Sequence, residues 1–437
     1  MSAPTSRLAW SLAALLLSSA TALAQDGRRL TAPADVRTQL DLQHFYLPRD
    51  LQVTLSALDT AYPEFLRLES LGRSSSGAEL WVMTVARKEG IELARRPGVL
   101  MVAGLGVEDL ASTELALHTI CELVQNHARD EAVQLLLERA VVYVVPCANP
   151  DLRERVLGAI ERGESGAAQA EESVLLDRNF PQRWDPLTLE RCGPYPLARP
   201  ESRALAEFVL GHPNLAVVQR YSASQPRSGV ELGWPASDVR VLRRVAAEGL
   251  LESVETAAAR EGSLLSFAYE QAGAFAFAVP ALARASGEGL LPRVDEILPL
   301  ARNASAASLR LMAALPRLEL VAEAPSALDP STWQVELELR NVGRLPTASE
   351  LSEQRFACAA PTLEVRGAEL VGAALLRASD SAALVTPLRG GVASLPQVGG
   401  GETLRVRAFL SATPGAQVVF TVRAPRAGEA SVEAQLP

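Results

Sequence analysis

The chain is poor in histidine, cysteine, lysine and aromatic side chains. Four His and four Cys occur in 437 residues, and aromatics make up 5% of the chain. Four histidines leave little imidazole for a metal centre. Cys121, Cys147, Cys192 and Cys358 form no CxxC pair, which excludes a zinc ribbon, and their spacing shows no disulfide framework. Cys121 falls in a helical pattern and Cys147 at a strand end, where small buried side chains are the expected reading. A bridge through Cys192 is left open. Lysine is almost absent, so nearly all positive charge is arginine. No block of Lys/Arg offers a phosphate footprint, and the net charge is −9, so a nucleic-acid partner is excluded. There is no internal repeat. Beyond the N-terminus no stretch is long and apolar enough to cross a membrane.

What is present reads as globular. Hydrophobic residues make up 48% of the chain and charged residues 21%. Residues 1–24 have the pattern of a secretory signal peptide. Arg7 supplies the positive start, LAWSLAALLLSSATALA the apolar stretch, and Ala22-Leu23-Ala24 a small-x-small cleavage site. No Cys follows to make a lipoprotein signal. A secreted or periplasmic protein is expected, with a polar leader over 25–38.

From Gln39 to about Leu315, strand and helix patterns alternate. GVLMVAGL is apolar throughout, as a strand buried on both faces would be. STELALHTICELVQNHA has helical periodicity, with Leu115, Leu117, Ile120, Leu123 and Val124 in one broad stripe. The overlapping stretch CELVQNHARDEAVQLLLER reads as a solvated helical face. NLAVVQRYS and AFAFAV are strands, ASDVRVLRRVAAEGLLESVETAAAR a long helix, and LPRVDEILPLARNASAASLRLMAAL a closing helix. The expected fold over 39–315 is α/β, with a mixed, largely buried sheet flanked by helices. Over 317–437 the runs are short and alternating. In WQVELELRN, Trp333, Val335, Leu337 and Leu339 share one face. This predicts an all-β sandwich of immunoglobulin-like character.

Several segments over 39–315 resemble the zinc carboxypeptidase family. AGLGVED at 103–109 is similar to AG-x-H-x-x-E, and RYSASQ at 220–225 to H-S-x-x-Q. YPEFLRLESLGRSSSGAELWVMTVA at 62–86 resembles the family's opening strands and turn. VPCANPD at 145–151 resembles P-x-x-NPDG, with Leu152 in place of the glycine. LLDRNFPQRW at 175–184, PYPLARPESRALAEFV at 194–209 and GSLLSFAYEQAGAFAFAVPAL at 262–282 follow in the family's order.

The resemblance implies a zinc held by His, Glu and His, a glutamate general base, an oxyanion arginine, and an Asn-Arg pair that grips a carboxylate. Position by position this chain departs from it. The ligand positions hold Gly106, Asp109 and Tyr221, and the base position holds Ala278. Glu108 stands where many members carry Arg. In the carboxylate clamp Arg178 matches, but its partner is Asp177, which is expected to pair with Arg178 or a neighbouring Arg. Arg162 lies nearest the interval for the oxyanion arginine. His44, His118, His127 and His212 are expected to be solvated or satisfied imidazoles. Glu108, Asp109 and Tyr221 together would make at most a weak oxygen site for a hard cation. Ser222 and Ser224 have no base nearby and read as loop hydroxyls.

The expectation is therefore a catalytically inactive homologue without a metal cofactor, acting by peptide or protein binding or by scaffolding, with cell-envelope and extracellular proteins as candidate partners. An active zinc enzyme with relocated ligands is the alternative. A third reading places the function in the β-region, with the α/β part as support.

Overall fold

The computed structural model describes residues 33–164, 174–187, 191–222, 234–248, 262–280, 291–355, 357–376, 384–386 and 388–437. The signal peptide, Ser224 and the second half of the long helix predicted from 236 lie outside the described residues.

Among the described residues, six strands form a mixed sheet in the order β1-β2-β4-β3-β5-β6. They are β1 (Leu66–Arg73), β2 (Glu79–Val85), β3 (Gly98–Val102), β4 (Val141–Val145), β5 (Leu215–Ser222) and β6 (Phe275–Pro280). β1, β2 and β4 pair antiparallel, whereas β4, β3, β5 and β6 run parallel. Every residue of β3 and β4 is buried, because helices cover both faces of the sheet centre. One face packs on helices α2 (Ser112–Asn126) and α8 (Val294–Ala313), and the other on α5 (Pro200–Gly211) and α7 (Leu264–Glu270).

The predicted apolar stripe of α2 is buried, but the burial goes further. Ser112, Thr113, Glu114, His118 and Thr119 are buried as well, so α2 is a central helix. The solvated face expected over 121–139 is corrected accordingly. A turn interrupts it, Asp130 caps α3 (Glu131–Arg139) by accepting from Ala132 N–H and Val133 N–H, and Cys121, Val124, Val133 and Leu137 are buried.

Glu114 on α2 forms an ion pair with Arg153 on α4 (Pro150–Glu161), and neither side chain has any exposure. Arg153 also donates to Tyr46 O, Leu110 O and Thr113 Oγ1. These bonds satisfy a charge that would otherwise cost several kcal/mol to bury. All four cysteines are free thiols, so the bridge left open for Cys192 does not form. Burial pushes the Cys121 thiol up to about 12 and the Cys147 thiol up to about 11.

The C-terminal region is all-β, with strands β7 (Leu318–Ala322), β8 (Ser326–Asp329), β9 (Thr332–Asn341), β10 (Thr362–Arg366), β11 (Glu369–Leu376), β12 (Leu384–Val385), β13 (Leu388–Arg389), β14 (Val392–Ser394), β15 (Thr403–Ser411), β16 (Gln417–Ala424) and β17 (Gly428–Gln435). Among the described residues they form two antiparallel sheets, ordered β13-β14-β10-β16-β17 and β12-β11-β15-β9-β7, with β8 paired to β9. Strand β9 behaves as its alternation predicts. Trp333, Val335, Leu337 and Leu339 enter the core shared by both sheets, while Glu336 and Glu338 pair outside with Arg407 and Arg405.

No local pattern announces how this region joins the first. Asp238, on α6 (Ala236–Glu248), accepts from the backbone N–H groups of Glu350 and Leu351 and from Tyr269 Oη–H. Buried Arg426 donates to the carbonyls of Ala272 and Gly273, just ahead of β6. Gly273 has φ +69°, and a Cβ there would lie 2.5 Å from Ser352 Oγ.

Gly273→Ala should therefore destabilise the protein by ~2–4 kcal/mol, from backbone strain plus overpacking. Gly77→Ala, also at positive φ but facing open space, should lose only the strain, ~1–2 kcal/mol. Urea denaturation of the two variants checks the difference. Equal losses would mean that the contact between the two regions is not tight.

Candidate functional site

The candidate site lies beyond the C-terminal ends of the parallel strands β3, β5 and β6. After β3 the chain is zipped onto the β4–α4 turn. Ala103 O accepts from Ala148 N–H, and Gly104 O from Asn149 N–H. Gly104 has φ +63°, and a Cβ there would sit 3.2 Å from Cys147 Cα. This close approach fits only glycine. Gly106 is different. Its φ of −134° and ψ of 173° are extended, so its backbone would accept any residue, histidine included. A short 3-10 turn, Val107–Asp109, leads into α2, and Asp109 N–H donates to Gly106 O at 3.0 Å.

Asp109 is buried, and its Oδ2 accepts from Arg220 Nη2 at 3.0 Å. Arg220 comes from β5. Its other terminal nitrogen, Nη1, donates to Asp177 Oδ2. The second Asp177 oxygen accepts from Leu264 N–H at 3.1 Å, at the start of α7. The expected pairing of Asp177 with a neighbouring arginine is thus made, and the partner is Arg220. Arg178, next to Asp177, is half-buried. Its carbonyl is packed so closely on Gly262, at φ +66°, that a Cβ there would lie 2.5 Å from the oxygen.

Ala278 of β6 is the register partner of Arg220 in the parallel β5–β6 pair, so both face the same side of the sheet. Tyr221 is one residue on and faces the other side. Its Oη is 2.9 Å from Thr119 Oγ1 and 3.3 Å from Ser308 Oγ, within the layer between α2 and α8. Burial pushes its hydroxyl up to about 12. The structure therefore brings Asp109 and Asp177 together on Arg220, with Ala278 as its register neighbour and Gly106 at the start of the turn that carries Asp109. It does not bring in Tyr221, and the suggested oxygen site of Glu108, Asp109 and Tyr221 is lost with it. Arg220 was not singled out from the sequence. A lone charged residue within the apolar strand NLAVVQRYS was the available signal.

The remaining candidates lie elsewhere. Arg162 ends α4, is 62% exposed and pairs with Glu164. His118 Nδ1 is bonded to Ser305 Oγ at 2.8 Å, and His127 and His212 bond to backbone carbonyls within their own helices. His44 is exposed near Asp41. Among the described residues, no group of three or more His, Cys, Asp or Glu side chains is placed to hold a metal ion.

The NPD and PES segments prove to be pins for the Ser74–Gly77 turn. Asp151 accepts from Ser74 Oγ–H, Ser76 Oγ–H and Ser76 N–H. Glu201 accepts from Ser75 N–H at 3.0 Å and pairs with Arg199 at 3.1 Å.

Comparison with known proteins agrees with this arrangement of strands and turns. A sequence model of the zinc carboxypeptidase family matches residues 51–307. The chain belongs to the zinc carboxypeptidase family. It is similar to mouse carboxypeptidase D, at 26% identity over 217 residues, which is 47% of this chain and 15% of that one. It is also similar to carboxypeptidase SOL1 of Arabidopsis thaliana, at 25% identity over 183 residues, 42% of this chain and 34% of the relative. The chain thus spans a small part of the length of these relatives. Among solved structures, carboxypeptidase A from Helicoverpa armigera superposes with a TM-score of 0.51 at 18% identity, covering 70% of this chain and 80% of that one. Thrombin-activatable fibrinolysis inhibitor gives 0.52 at 16% identity, covering 62% and 74%. At such identities the likeness is one of fold. Residues 317–435 match a family described only as a domain of unknown function.

Asp151 offers a test of the pinned turn. Partial burial opposes its ionisation, but the bonds from Ser74 and Ser76 outweigh this and hold the carboxyl below its ordinary value. A depressed folded-state pKa contributes stability above the unfolded value near ~3.9, and loses it as pH falls through the folded value. Asp151→Asn should therefore be less stable than the parent at pH 7. The gap should narrow as the pH is lowered below about 4. Denaturation series across pH check this, and a gap that does not change with pH would show that the carboxylate charge is not what holds the turn.

Proposed function

We propose that this chain is an exported zinc carboxypeptidase homologue that does not hydrolyse peptides and acts by binding a peptide or protein. The observation that carries the reading is the state of the catalytic positions. Asp109, the one carboxylate at the ligand positions, is engaged by Arg220. Beside that arginine the base position holds Ala278, whose methyl group cannot take a proton.

Zinc is the cofactor that the family implies, and the donor set does not fit it. A catalytic zinc takes three protein ligands and keeps a fourth position open. Gly106 offers no donor, Asp109 is held by a cation, and the Tyr221 hydroxyl is bonded on the far face of the sheet. Loss of a general base alone costs ~10²–10⁴ in rate, and loss of the metal removes the activated water as well.

The partner is read as a peptide or protein because the scaffold is a peptidase's. Export is supported by the N-terminal segment 1–24. Binding is assigned to the whole chain, since Asp238 and Arg426 tie the β-region to the segments around α7 and β6.

The test is zinc content and turnover together. Protein purified without chelators should carry well under one zinc per chain and should not release the C-terminal residue from basic or apolar peptides. Stoichiometric zinc with turnover would overturn the proposal and establish an active enzyme with ligands from other positions.

A further inference from the structure

Three charged side chains converge at Asp109, a position that the resemblance assigns to a metal ligand. By side chain, Asp109 is 1% exposed, Arg220 5% and Asp177 17%. Two carboxylates sharing a site repel each other, and burial in a medium of low dielectric magnifies the repulsion. Something positive must stand between them. Arg220 does so with one terminal nitrogen for each aspartate.

The segments tied together are distant in sequence. Asp109 follows β3, Asp177 lies in the Leu176–Arg178 turn, and Arg220 is in β5. Through Asp177 the tie extends to Leu264 N–H at the start of α7. Drawing ligands from separate segments to one point is what a structural or catalytic ion does. A guanidinium is well suited to the same task. It is planar, carries five donors in a fixed fork and stays protonated at any working pH.

We propose that the Arg220 guanidinium is a resident cation, a part of the chain that stands in for a divalent ion and makes assembly of this site independent of metal. A zinc ion entering the site would have to share Asp109 with a like charge already buried beside it. The arginine thus both assembles the site and keeps a divalent ion out. The proposal concerns what holds the site together, and it stands apart from whether the chain hydrolyses peptides.

The experiment is a set of thermal melts on the full chain. The parent should melt at the same temperature in EDTA as in buffer with added zinc. Arg220→Met keeps the bulk but takes the guanidinium from the buried Asp109 and the partly buried Asp177, and should lower Tm by at least ~5 °C. Adding Asp109→Asn and Asp177→Asn to that variant removes the repulsion and should recover most of the loss. A parent Tm that falls in EDTA would overturn the proposal. So would an Arg220→Met variant as stable as the parent, or a triple variant no better than the single one. Should the single variant fail to fold, the triple variant decides alone, its folding supporting the proposal and its failure overturning it. Peptide turnover with a Tm indifferent to EDTA would sink the loss of hydrolysis while leaving the resident cation in place.

Discussion

A guanidinium clasped by two aspartates lies where β3, β5 and the Leu176–Arg178 turn converge. Backbone and side-chain bonds hold the elements that carry the clasp. β5 delivers Arg220, and its register neighbour Ala278 contributes only a methyl group. The turn after β3 is fixed by backbone bonds to the β4–α4 segment, and α7 presents Leu264 N–H to Asp177. The arrangement is a peptidase scaffold whose point of convergence holds an organic cation.

Two other polar ties set the frame in which this one works. The fully buried pair of Glu114 and Arg153 joins α2 to α4 and anchors the chain near Tyr46. Asp238 and Arg426 join the β-region to the segments on either side of α7. Both are hydrogen-bonded at several atoms, as buried charges must be. Since Arg426 grips the carbonyls just ahead of β6, the β-region is part of what positions Ala278 and its strand.

The strands and most helices were legible because their signal is periodic. An all-apolar run such as GVLMV can only be buried on both faces, and WQVELELRN can only bury alternate residues. The family motifs were legible for the same local reason. The site was legible only in part. Matching RYSASQ to H-S-x-x-Q puts Tyr221 at a ligand position, yet in a strand a step of one residue reverses the face. The side chain that meets Asp109 is therefore Arg220, and the Tyr221 hydroxyl joins Thr119 and Ser308 behind the sheet. The burial of α2 on all sides was not legible, because Glu114 and His118 read as polar until Arg153 and Ser305 are brought to them from 39 and 187 residues away. The same holds for Asp238 and Arg426, whose partners have no fixed spacing in the sequence.

The most direct measurement is a crystal structure of the full chain soaked in zinc, with anomalous diffraction recorded at the zinc edge. No anomalous peak is expected within bonding distance of Asp109, and the Arg220 guanidinium should show density between Asp109 and Asp177. A strong peak on Asp109, with Arg220 swung out of the site, would contradict the resident cation.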